Sequence, residues 1–163
     1  MDYAGSTLFI GAGATLATDL WTVARERLFG IAAPDWALVG RWFGHMARGR
    51  FRHERITAAQ SVRGERAIGW TAHYFIGIAF AAVLLAICGT EWVRQPTLAP
   101  ALAMGVITVA APFLLLQPGL GAGIAARRTA RPNAARAQSL VTHLVFGAGL
   151  YAAALVLNLL SGE

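Results

Sequence analysis

A chain of 163 residues that is 56% hydrophobic and only 13% charged, with a mean hydropathy of +0.54, is too apolar for a soluble domain of that size. Its net charge of +6 lies in loops that flank apolar runs, not on a basic patch, which argues against nucleic acid as a partner. The 14 basic residues are all arginine, a mark of genome composition, and the single cysteine, Cys88, excludes an internal disulfide.

Four apolar runs are each long enough to cross a bilayer, which takes about 20 residues. The expected fold is all-α: a polytopic membrane protein with four transmembrane helices in one bundle, at about 3–26, 67–90, 97–119 and 135–160. Loops at about 27–66 and 120–134 separate the spans on one side, and no second domain is expected.

The first run carries Gly11, Gly13, Ala14, Thr15, Ala17 and Thr18 through its middle, residues small enough for close helix approach in lipid. Met1-Asp2-Tyr3 has no basic character, so this run is expected to stay as a helix and not to act as a signal peptide. Asp19, Trp21, Arg25 and Glu26 follow, then Gly30 and Pro34 punctuate the chain, with Asp35 as the expected cap of a short helix.

That short helix is predicted over Asp35–Arg48. Trp36, Val39, Trp42, Phe43 and Met46 recur at helical steps, while Arg41, His45 and Arg48 share another face. The pattern predicts a helix lying in the membrane interface, aromatics down and cations up, or a re-entrant flap. Trp70 and Trp92 stand near opposite ends of the second span, as interface anchors. The third run is interrupted by Pro112, Pro118 and Gly119, predicting a break near Gln117-Pro118-Gly119. Gly119, Gly121 and Gly123 then give a flexible or closely packed stretch, and Arg131-Pro132-Asn133 is a turn ahead of the last helix.

Arginines fix the expected orientation. Seven lie between spans one and two, from Arg41 to Arg66, and Arg127, Arg128, Arg131 and Arg136 lie between spans three and four. The middle gap holds Arg94 alone. Positive residues stay inside, so both termini are expected on the periplasmic side of a bacterial inner membrane.

Ionisable groups within spans cost roughly 2.5–3.5 kcal/mol at mid-helix for Asp or Arg and normally face a bundle interior or wet cavity. Asp19 precedes Arg25 by six residues, which is about 9 Å at 1.5 Å per residue; His73 and His143 follow Arg66 and Arg136 by seven, about 10 Å. Gln117 lies near the same level, so each span is expected to bring one polar side chain to a common site. Asp19, His73, Gln117 and His143 are thus the candidate ligand-binding residues. A carboxylate with two imidazoles also suits a transition metal, and His73 with His143 suits a metal or a haem iron. The plain alternative is that these groups hydrogen-bond one another and hold the helices together.

A second candidate is the loop cluster Arg41, His45, Arg48, Arg50, Arg52, His53 and Arg55. Of these, Arg41, His45, Arg52 and His53 are the expected binders of an anionic headgroup or phosphate through forked hydrogen bonds. The competing reading is that the arginines serve topology alone and meet anionic lipid headgroups without specificity.

Several stretches resemble a bacterial membrane family, domain of unknown function 2938. They are Gly13-Ala14-Thr15, Asp19-Leu20-Trp21, Trp36–His45, Gly49-Arg50-Phe51 and His53-Glu54, then Gly64–Trp70, His73-Tyr74, Gln117–Gly121 and His143–Gly147. The resemblance covers nearly the whole chain and implies a small four-helix inner-membrane protein, with no activity attached.

The leading expectation is a ligand-binding or transport-type bundle with its polar site in the cytoplasmic half of the membrane. Two alternatives are a haem- or metal-binding membrane oxidoreductase and an accessory subunit of a larger membrane complex. Expected partners are the lipid bilayer and, through the small-residue faces, a second copy of the chain.

Overall fold

The computed structural model describes residues 2–161, and among them the secondary structure is entirely helical. The principal helices are α1 (Tyr3–Phe29), α2 (Trp36–Met46), α3 (Glu65–Cys88), α4 (Leu98–Leu120) and α5 (Pro132–Ser161). Four of these, all but α2, are long and apolar enough to cross a membrane.

Local chemistry sets the helix ends. The Asp2 carboxylate accepts from Gly5 N at 2.9 Å at the start of α1, and Asp35 accepts from Ala37 N at 2.9 Å at the start of α2. Gly30 (φ 65°) stops α1, and α5 opens on Pro132, whose missing N–H costs nothing at a first helical position. The third run does not break at Gln117-Pro118-Gly119 as its sequence predicts. The helix instead loosens into a π-turn over Pro112–Leu116, with Gln117 N bonded to Pro112 O, and runs on to Leu120 before Gly121 (φ 97°) ends it. One wide turn absorbs the prolines without ending the helix.

The described chain forms two compact units. Among the described residues the first comprises 2–33, 74–108 and 141–161; the second comprises 34–73 and 109–140.

In the first unit, α1 meets α3 where a Cβ on Gly11 would lie 2.4 Å from Ile78 Cα, and one on Gly77 would lie 2.0 Å from Thr15 Oγ1. α4 meets α5 at Gly105 and Gly147, and Ala14 meets Gly149. Backbones touch at these crossings, as small residues permit. The small residues of the first run, expected to serve assembly between copies, are in contact within the chain. Around them lies a core of Ile10, Leu84, Leu85, Met104, Phe146 and Leu150. Trp92, predicted as an interface anchor, is instead 6% exposed and part of this core, because the one-turn helix Glu91–Arg94 folds it inward.

In the second unit, α2 crosses the first turns of α3 in backbone contact at Gly40 and Gly69. Val39, Trp42 and His45 on α2 are buried, so His45 does not share an outward cationic face with Arg48. Gly119 packs under the Trp42 indole, and Gly121 lies against the Glu54 carbonyl. The glycine-rich stretch after α4 is thus closely packed.

Candidate functional site

The interior of the first unit carries hydroxyl groups beside its apolar core. Ser6, Thr7, Thr15, Thr18 and Thr108 are buried, and the threonine hydroxyls donate to carbonyls one turn back, at 2.6–2.9 Å. Asp19 and His143 belong to the same unit.

Asp19, half-buried on α1, accepts a hydrogen bond from the Tyr74 hydroxyl of α3 at 2.9 Å. His143 on α5 lies with Nδ1 3.0 Å from Thr108 Oγ1 on α4. Thr108 already donates its hydroxyl hydrogen to the Gly105 carbonyl at 2.9 Å. The shared bond is therefore donated by His143 Nδ1–H, a tautomer assigned from the hydrogen-bond network, and the lone pair falls on Nε2. This unit thus carries a carboxylate bonded to a phenol and an imidazole bonded to a hydroxyl.

His73 makes ring contacts, and Gln117 a hydrogen bond, within the second unit. The His73 ring stacks on Trp36 (3.9 Å between centroids, 28° between planes) and meets Trp70 edge-on at 5.8 Å. Two indoles thus pack around one imidazole. Gln117 donates from Nε2 to Ser139 Oγ at 3.2 Å, while its Oε1 is buried with no protein partner.

The loop residues expected to bind an anion together are divided. Arg41 forks onto Glu65, with Nε to Oε2 at 2.8 Å and Nη2 to Oε1 at 2.7 Å, and Nη1 donates to the Ala59 carbonyl at 3.2 Å. That hydrogen bonding to Glu65 raises the Arg41 pKa above its ordinary value, so the guanidinium is held charged and engaged. His45 donates from Nε2 to Gln60 O at 2.9 Å, and His53 donates from Nδ1 to Gly119 O at 3.2 Å. The two imidazoles are buried 5.0 Å apart, edge to face, with His53 Nε2 lacking a partner. Only Arg52 of the four is exposed.

Among the described residues, no three His, Cys, Asp or Glu side chains gather as a metal ion would require. The sequence left the partners of the polar residues unassigned. Tyr74 adjoins His73 and Thr108 sits in an apolar run, so each carried a signal, but the facing of helices decides pairing. Glu65 was legible only as a charge ahead of a span.

No curated protein and no solved structure matches the chain. The family described as a protein of unknown function (DUF2938) matches residues 8–157, in keeping with the resemblance seen in the residues above, and the chain belongs to that family.

Proposed function

We propose that the chain is a four-span protein of a bacterial inner membrane, with both termini periplasmic and α2 near the cytoplasmic face. Its polarity supports this reading. Leu8, Leu20, Phe75, Ile87, Ile107 and Leu159 stand 57–82% exposed, while Ser6, Thr7, Thr15, Thr18 and Thr108 are buried. Apolar outside and polar inside is the arrangement a lipid solvent selects. The arginine asymmetry supports the orientation.

Within that frame we propose a binding or transport-type role, with a polar site in the first unit. The Asp19–Tyr74 hydrogen bond carries the reading, because an acid kept inside an apolar span is costly and its retention calls for use. Asp19 contributes a carboxylate, Tyr74 and Thr108 orient, and His143 contributes the Nε2 lone pair. These are acceptors, so the solute that fits them is small and cationic or rich in hydrogen-bond donors.

The test is thermal unfolding of the purified full chain against a panel of small amines, amino acids and monovalent cations. At least one class raises the midpoint of the wild type, and D19N and H143A lose that response while remaining inserted. A panel with no effect on the wild type, or a response kept by both variants, defeats the reading.

A further inference from the structure

Arg25 continues the inward stripe of α1. The buried positions of that helix include Thr7, Gly11, Ala14 and Thr18, and Arg25 follows Thr18 by seven residues, or two turns, which returns it to the same face. Its exposure is 7%. An arginine that merely snorkels keeps its stem covered and its head in water. Among the described residues Nε is wholly covered and has no hydrogen-bond partner, and the head bonds through Nη2 to the Ala32 carbonyl at 3.2 Å.

Arg41 shows how the fold completes a covered guanidinium. It has both oxygens of Glu65 and a carbonyl besides. Arg25 has no carboxylate partner among the described residues. A guanidinium is a cation, and a covered charge without a counter-charge is expensive, so an anion that reached its head would offset that cost. The planar fork selects a group with paired oxygens, a phosphate or a carboxylate. The end of α1 decides between them: on the orientation proposed above it lies at the cytoplasmic headgroup level, where phosphate is the abundant anion.

We propose that Arg25 is the anchor of a phosphate-binding site at the C-terminal end of α1, occupied by the phosphate of an anionic lipid or by free phosphate. The lipid source rests on the membrane reading; the free-phosphate source does not.

The test uses the full chain in nanodiscs and detergent. One arm compares phosphatidylcholine discs with and without phosphatidylglycerol, and the other compares inorganic phosphate with chloride at matched ionic strength in detergent. The wild type unfolds at a higher temperature with phosphatidylglycerol, with phosphate, or with both, and the responding arm names the source. R25Q weakens that binding about 10- to 100-fold, the loss of a charge-assisted bond. R25K falls between, and R27Q, at an exposed neighbour, matches the wild type. A wild type indifferent to both anions overturns the proposal, as does an R25Q response equal to that of the wild type. Should R25Q fail to fold, the wild type and R25K decide. D19N and H143A keep the anion response, so failure here is separable from failure of the solute site.

Discussion

Arg41 and Glu65 are joined fork to fork across 24 residues of chain, with side chains 14% and 17% exposed. The same carboxylate accepts from Val62 N at 2.9 Å, so one acid closes the entry to α3 and ties it to α2. Removing one partner leaves a largely covered charge. R41A and E65A should each destabilise by about 2–4 kcal/mol, less than a fully buried pair because water retains some access. Arg41→Lys should recover little, since an ammonium cannot make both bonds. A double-mutant cycle by thermal unfolding checks this, and a coupling below about 0.5 kcal/mol would contradict the pairing.

The α2–α3 crossing makes a sharper prediction about glycine. A Cβ on Gly40 would stand 1.7 Å from the Glu65 carbonyl oxygen, and one on Gly69 would stand 1.8 Å from that of Trp36. Main chain cannot rotate away as a side chain can, so G40A and G69A force the helices apart. Each should cost about 3 kcal/mol or more, at or beyond the upper end of overpacking penalties. Gly49 is the control: its φ is 77° but nothing lies within 4 Å of the added carbon. G49A should therefore cost only the left-handed strain, about 1–2 kcal/mol. Equal losses in G40A and G49A would mean that the crossing is looser than described.

Thr108 and His143 test a tautomer. Thr108→Val keeps the shape and removes the hydroxyl oxygen that His143 Nδ1–H meets at 3.0 Å. The half-buried donor is then left without its bond, costing about 1–3 kcal/mol. The ¹⁵N spectrum of His143 should show the Nδ1–H form in the wild type and a mixture in the variant. An Nε2–H form in the wild type would reverse the assigned donor.

Helix number, approximate ends and the α2 helix were readable from apolar run length and capping residues, since those signals are local. Asp35 and Gly30 act at their own positions, and no tertiary contact is needed to place them. Pairing was not readable. Arg41 was visible as one of many loop cations, and nothing local distinguished it from Arg52; its partner lies a helix away in Glu65. His45 and His53 were placed on a cationic surface because histidine is polar, whereas the carbonyls of Gln60 and Gly119 satisfy them in the interior. Trp92 misled for a related reason: tryptophan marks interfaces on average, yet a single turn after α3 is enough to fold it into the core.

The segment after α4 holds two alanines in the left-handed region, Ala125 at φ 47° and Ala126 at φ 57°. Each carries strain of about 1–2 kcal/mol that glycine would relieve. Glycine also frees the unfolded chain, which takes back about 0.4–1 kcal/mol. For half-buried Ala125 the balance favours A125G, by about 0.5 kcal/mol. Ala126 differs because its residue is only 1% exposed, and deleting a buried methyl loses about 0.8 kcal/mol more. A126G should therefore be neutral or destabilising. The two adjacent, chemically identical substitutions should move the unfolding midpoint in different ways, and only burial separates them. A stabilising A126G alongside a destabilising A125G would show that strain and packing are distributed along this turn differently from the arrangement described.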